Sequence, residues 1–253
     1  MTGMTPVFKR YSPGRVKTLE LLKGISGEPG KPAFSIYLPP FGGTSPTESI
    51  AAEIPVSTRV RREIAGHISS SGTGLAVFRA GERGWVVVPP FPILEKQTAD
   101  SIDVEGLLSL ISRDYLIAVV LVRLGSFGIG VFRGEKLLNG KVGTGLVHGR
   151  HRQGGSSAHR FERHRDKQIE RFMTRVCGHA REQIGPATGS LDYIVYGGAR
   201  TTILTLQKKC PFLGKLEVPS LPPVLDIPDP RQPVLEAVIA RAWSSRVTEW
   251  RED

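Results

Sequence analysis

"GRHRQGGSSAHRFERHRDK", residues 149–167, is where the chain changes period, and the fold is read outward from it. On its amino side stand "YLIAVVLVRLG" (115–125), "SFGIGVFRG" (126–134) and "KVGTGLVHG" (141–149). Glycines separate these three β-like runs, which predicts an antiparallel meander. On its carboxyl side, from Ala158, apolar residues recur at Phe161, Ile169, Phe172, Met173, Val176, Ala180 and Ile184. Spacings of three and four put them on one face of a long helix, with Phe161 and Phe172 expected in the core and Gly185-Pro186 as the stop. Ser156 and Ser157 are N-cap candidates, because a serine oxygen can accept from the free backbone donors of the first turn.

Beyond the helix, "LDYIVYGGA" (191–199) reads as a strand and "RTTILTLQKKC" (200–210) as a short helix. "GKLEVP" (214–219) reads as a strand and "RQPVLEAVIARAWSSRVTEW" (231–250) as a closing amphipathic helix with Pro233 in its first turn. Before the meander, "VKTLELLKGI" (16–25) has helical spacing, "AFSIYLPP" (33–40) reads as a strand and "FGGTSPTES" (41–49) as a loop. "VSTRVRREIAGHI" (56–68) reads as a helix, and "GLAVFRAGERGWVVVPPFPI" (74–93) as two β-rich runs around the turn Gly81 to Gly84. The order is α/β, with a smaller α/β domain over 1–105 and a second domain over 110–253.

The composition suits a folded chain that binds polyanions. With 253 residues and 40% hydrophobic content there is ample material for a core. Thirty-four Lys and Arg against 24 Asp and Glu leave a net charge of +10, which makes nucleic acid the leading partner class. Cys177 and Cys210 form no CxxC pair and support neither a disulfide framework nor a cysteine-rich metal site, so a reducing cytoplasm fits. No apolar run approaches the roughly 18 residues of a membrane span, and the first residues hold no apolar signal core. A cytoplasmic protein without a membrane partner is expected.

Several chemistries fail on spacing. In "GISGEPGKP" Gly24 stands one place too early for a phosphate loop, and Pro32 occupies the Ser/Thr position. "GSFGIG" lacks the dinucleotide spacing and leads into a strand. "GGSSA" fails the serine-hydrolase elbow at its last position. Four of the six histidines, His148, His151, His159 and His164, cluster here, yet arginines surround them and disfavour a dication, so no metal is expected. Between Gly149 and Arg171 seven cationic side chains face three carboxylates, a local excess of +4 at the start of a helix. The helix dipole adds attraction for anions there, and phosphate binding offsets the stability that such a placement costs.

The run "RQGGSSAHRFERHRDK" resembles the Gly-Gly-Gln region of the archaeal and eukaryotic class-one release factors, with Gly154, Gly155, Ser157, Ala158, Arg160, Phe161, Arg163 and Arg165 at matching places. The preceding meander and the following strand, helix and strand resemble that family's middle domain over about residues 110–220. The resemblance implies an RNase H-like mixed sheet with flanking helices. Ser156 stands where those factors have glutamine, and Gln153 precedes the two glycines. That shift resembles the Vms/ANKZF branch of ribosome quality control, and more closely its bacterial, actinobacterial-type relatives. "FSIYLPP" and "GLAVFRAGERGWVVVPP" resemble the leading domain of bacterial release-factor-like proteins.

The resemblance implies a peptidyl-tRNA hydrolase that cleaves the ester between nascent peptide and tRNA on stalled ribosomes, at the peptidyl transferase centre of the large subunit. No small-molecule cofactor is implied. Such an ester is already activated, so hydrolysis chiefly requires a positioned water and a stabilised oxyanion. Gln153 could hold the water through its side-chain amide or its backbone N–H, while Gly154 and Gly155 let the loop press against RNA. Arg150, His151, Arg152, Ser156, Ser157, His159, Arg160, Arg163, Arg165 and Lys167 form the expected RNA-binding set. Two rivals stand beside this reading: a non-catalytic ribosome- or tRNA-binding module, and a metal-free tRNA nuclease. Metal nucleases of RNase H-like fold place an acid in the first strand, and "LIAVVLVRL" has none.

Overall fold

The structure is a computed structural model, and it describes residues 6–27, 31–41, 47–147 and 158–252. The chain divides into two compact units, Met1–Arg113 with Ala240–Asp253, and Asp114–Ile239. The expected division at 105–110 lies close to the first boundary. The chain's last residues, expected in the second domain, belong instead to the first.

In the first unit the chain forms β1 (Val7–Tyr11), α1 (Arg15–Gly24), β2 (Ala33–Leu38), α2 (Thr47–Ala52), α3 (Thr58–Ser70), β3 (Leu75–Ala80), β4 (Arg83–Val88), β5 (Gln97–Ala99) and α4 (Glu105–Ser112). A strand at the far end of the sequence, β11 (Arg246–Arg251), inserts between β1 and β4. The six strands run in the order β1-β11-β4-β3-β2-β5, every neighbouring pair antiparallel. Side chains alternate as a pleat requires. Leu75, Val77, Val86 and Val88 pack with Val60, Ile64 and Ile68 of α3, whereas Ala76, Phe78, Trp85 and Val87 pack with Leu22 of α1 and Leu107 and Ile111 of α4. Helices therefore cover both faces. Opposite Gly84 lies the ring of Trp250, and a Cβ added at that glycine would overlap the ring. Only glycine lets the tryptophan cross β4 there.

A polar cluster joins α3 to this sheet and makes the unit sensitive to acid. Arg10 donates two hydrogen bonds to Glu63, at 2.9 and 2.8 Å, and His67 Nε2 lies 2.9 Å from the buried Thr248 hydroxyl and 3.5 Å from Glu63. Burial holds the His67 imidazole below its usual range, Arg246 and Arg10 add to that, and Glu63 works against it. The hydrogen bond from Arg10 leads in lowering the Glu63 carboxyl. A histidine kept neutral in the fold takes its proton more readily in the unfolded chain, so stability falls as pH drops below about 6.5. Melting temperature should decline between pH 7 and 5, and His67→Gln should flatten that slope. An unchanged slope in the variant would refute this origin.

The second unit contains β6 (Leu116–Arg123), β7 (Ser126–Arg133), β8 (Lys136–Thr144), α5 (Ala158–Ile184), a 3-10 turn (Gly185–Ser190), β9 (Tyr193–Gly198), α6 (Arg200–Lys209), α7 (Pro211–Gly214), β10 (Ser220–Leu225) and α8 (Gln232–Ala242), whose last residues fall in the first unit. Its sheet runs β10-β9-β6-β7-β8, with β6, β7 and β8 an antiparallel meander and β9 and β10 added in parallel. This is the mixed sheet with flanking helices implied by the resemblance. Leu116, Ala118, Val120 and Val122 share a core with Phe172, Met173, Val176, Ala180 and Ile184 of α5 and with Ile203 and Leu206 of α6. Leu235 of α8 approaches Gly128 and Gly140 of the sheet. Among the described residues no helix is long and apolar enough to cross a membrane.

Four expectations about local structure are corrected. "GKLEVP" holds no strand; the strand is the next segment, Ser220–Leu225, whose Pro222 and Pro223 lack amide donors and are tolerated because β10 lies at the sheet edge. The closing helix stops at Ala242, and "RVTEW" begins β11, where Val247 and Trp250 are buried. Part of the loop read over 41–49 is helical, since α2 begins at Thr47.

The fourth concerns the cysteines, which are bonded. Cys177 of α5 and Cys210 at the end of α6 form a disulfide, their Cα atoms 5.4 Å apart and 33 residues apart in sequence. Closing a loop of that size restricts the unfolded chain by about 3–4 kcal/mol, roughly 10 °C in melting temperature. Thermal unfolding with and without a thiol reductant should show that difference in the second unit. Identical curves would mean the bond adds no stability.

Candidate nucleic-acid interface

The candidate interface is built on α5. Its carboxyl-terminal two thirds bury Phe172, Met173, Val176, Ala180 and Ile184. Its first turns do not. Arg160, Phe161, Glu162, Arg163 and His164 are all exposed, Arg165 is half-buried, Asp166 and Lys167 are exposed, and Gln168 is the first buried side chain described along the helix. From Ala158 to Gln168 a helix rises about 15 Å, so α5 extends past its core as an arm. Phe161, expected in the core, is 57% exposed, because it sits on this arm two turns before the helix meets the sheet.

The arm segregates its charges. Arg160, Arg163, His164, Lys167 and Arg171 recur at spacings that place them on one helical face, and all five are exposed. Glu162, Asp166 and Glu170 form a separate row at intervals of four, whose last member lies 3.8 Å from Lys209 of α6. Glu170 thus faces α6, and the exposed cations occupy a different side of the helix from the carboxylate row. The first turn holds no acidic residue to answer the helix dipole. Nearer the core, Arg175 Nη1 donates to the Thr144 carbonyl at 2.8 Å, tying α5 to the end of β8. His179 hydrogen-bonds Glu182 at 2.9 Å and stacks on Phe127 with ring centroids 5.2 Å apart, so it is occupied within the fold.

Arg160, Arg163, Arg165 and Lys167 of the expected RNA-binding set therefore lie together on α5, with Arg165 turned partly toward the body of the unit. His159 belongs to the first turn of the same helix. Arg150, His151, Arg152, Gln153, Gly154, Gly155, Ser156 and Ser157 lie outside the described residues. His164 and Arg171 join the cationic face without having been in the expected set, although their spacing from Arg160 and Lys167 carried the signal. Among the described residues no group of three or more His, Cys, Asp or Glu could hold a metal ion.

Comparison with known proteins bears on the second unit above all. A family model described as the Actinobacteria/chloroflexi VLRF1 release factor matches residues 115–248, just over half of the chain. Peptide chain release factor subunit 1 of Archaeoglobus fulgidus is 30% identical over 119 residues, 46% of this chain and 29% of that protein. The factor of the same name from Pyrococcus abyssi is 26% identical over 216 residues, 74% of this chain and 52% of that protein. The match thus spans about half or less of these curated relatives. The crystal structure of an archaeal translation termination factor, aRF1, is 19% identical, covering 90% of this chain and 71% of that one with a TM-score of 0.38. On the family match, the chain is a member of the Actinobacteria/chloroflexi VLRF1 release factor family.

Proposed function

We propose that this chain is a cytoplasmic peptidyl-tRNA hydrolase that acts on stalled, ribosome-bound peptidyl-tRNA at the peptidyl transferase centre. The observation that carries the reading is the cationic outer face of the α5 arm, which follows closely in sequence on the Gln-Gly-Gly stretch at 153–155. A protruding helix with Arg160, Arg163, Lys167 and Arg171 on one face suits insertion between phosphate-lined RNA walls. Contacts of this kind position without reading sequence.

In this reading the arm holds RNA, the glycines allow close approach to the terminal adenosine, and Gln153 orients the attacking water. Attack on the ester carbonyl forms a tetrahedral oxyanion, and collapse breaks the bond to the ribose oxygen. The peptide leaves with a new carboxylate and the tRNA with its hydroxyl restored. No cofactor enters these steps. Membership of a release factor family and the similarity to archaeal release factors support the assignment.

The test is to mix the protein with stalled complexes bearing labelled peptidyl-tRNA and to resolve free peptide and tRNA length together. Free peptide with full-length tRNA is expected. Shortened tRNA would indicate a nuclease, and binding without release would indicate a binding module; either would overturn the proposal.

A further inference from the structure

The first unit carries a cationic surface of its own, built on α3. That helix has Arg59 and no acidic residue in its first turn, although the dipole there favours carboxylates and disfavours cations. Arg59, Glu63 and His67 form one row at intervals of four, and Arg62, Gly66 and Ser70 form the row beside it. Arg59 and Arg62 are thus neighbours of like charge. Both are exposed, and neither meets a carboxylate among the described residues. Arg61, between them in sequence, turns to the fold instead and donates to the Ile54 and Val56 carbonyls at 3.3 and 3.2 Å. Gly66 is exposed, and a Cβ built on it would meet nothing, so the helix backbone is open to close approach there.

The sheet adds two more guanidinium groups. Glu63 holds Arg10 of β1 at 2.9 and 2.8 Å, and His67, one turn further, meets the Thr248 hydroxyl of β11. Arg10 is paired with Thr248 across the two strands, and Arg246 lies two residues before Thr248, so all three side chains project from the face that α3 covers. Arg10 and Arg246 are exposed, and each disfavours protonation of His67, which places both within electrostatic reach of it. Glu252, at the start of α3, is engaged by Arg79 at 3.6 Å and by the Ser57 amide at 3.3 Å. Arg10, Arg59, Arg62 and Arg246 therefore flank the helix around one carboxylate, Glu63, which Arg10 already holds.

A cation in the first turn and like charges one turn apart both cost stability, and no contact of Arg59 or Arg62 within the described fold offsets it. The charge is answered from outside. All four cations are arginines, whose planar fork takes phosphate oxygens in pairs, and for a member of a release factor family the polyanion to be met is RNA. We infer that this flank of α3 binds the phosphodiester backbone of RNA, a contact made by the unit that does not carry the α5 arm. It positions the chain without reading sequence.

The test isolates the surface in full-length protein whose arm is neutralised by glutamine at Arg160, Arg163 and Lys167. That protein should still bind an RNA hairpin of arbitrary sequence at low salt. Adding Arg59→Gln, Arg62→Gln and Arg246→Gln should make the slope of log affinity against log salt shallower by about 2 to 3. Melting temperature should stay within a few degrees, since all three side chains are exposed. Arg62→Glu alone reverses one charge on the outer row and should weaken hairpin binding at least about tenfold, which decides the matter should the triple change unfold the unit. No hairpin binding by the arm-neutralised protein at low salt, or a slope unmoved by the three further substitutions, would overturn the inference. So would binding to vesicles of mixed neutral and anionic lipid that these substitutions abolish while the hairpin slope stays unchanged, because the surface would then belong to a membrane. None of these outcomes depends on peptide release, so the hydrolase reading stands or falls separately.

Discussion

Gln153→Ala is expected to slow peptide release from stalled complexes by about 100- to 1,000-fold, the usual cost of removing one preorganised polar group from a reacting centre. The size of the effect follows from how little else the reaction needs. In the proposed reaction the ester of tRNA is activated already, so the protein need contribute only position and polarisation, and a single amide holding water would account for a large share of both. Affinity should change much less. The cations of the α5 arm lie away from position 153 along the chain, and Gly154 and Gly155 keep the backbone's freedom to approach RNA. The signature is therefore a fall in single-turnover rate at saturating protein with a binding curve close to the parent's. If the alanine variant releases peptide at the parent's rate, the side chain is not the group that holds water; if it loses binding in parallel, Gln153 is a contact residue.

Neutralising the arm should produce the opposite split. Arg160, Arg163 and Lys167 share the exposed face of α5 and make no contribution to the buried core, so their joint replacement by glutamine leaves the unit folded. Each cation removed from a phosphate should reduce the slope of log affinity against log salt by about 0.7 to 0.9, which makes the triple variant shallower by about 2 to 3. At low salt the weakened complex should still form, and once saturated it should hydrolyse its substrate at close to the parent's rate. Filter binding across a salt series measures the slope directly. A slope equal to the parent's would mean that this face does not meet phosphate.

What the sequence disclosed followed the range of the forces involved. The meander and α5 were legible, because glycine punctuation and a three-four apolar rhythm are local signals that tertiary packing then reinforced, but the third strand runs over Lys136–Thr144, where 141–149 was expected and "EKLLNG" was read as a connection. The antiparallel pair around Gly81 and Gly84 was legible for the same reason. β1 and β11 were not. Val7 pairs with Arg251 across nearly the whole chain, and short strands of alternating charge such as "RVTEWR" continue a helical pattern equally well until their partner is known. β10 was hidden by its prolines, which an edge position excuses. Phe161 shows the limit of periodicity: the rhythm placed it on the apolar face, but where the core ends along that face is set by the sheet's extent. The Cys177–Cys210 bond had no local signal at all, since it depends on α5 and α6 lying side by side. At the site, the charge excess was legible and the spacing that separates cations from carboxylates was present in the sequence, whereas the contact of Glu170 with Lys209 depends on α5 and α6 lying side by side.

The central claim is that water attacks the ester carbonyl, and the oxygen atom itself can report it. Release carried out in water enriched in oxygen-18, followed by mass spectrometry of peptide and tRNA, should place one heavy oxygen in the peptide's new carboxylate and leave the tRNA's terminal adenosine intact and unlabelled. Peptide still attached to a nucleotide, or label found on the RNA, would contradict ester hydrolysis and assign the chain a different chemistry.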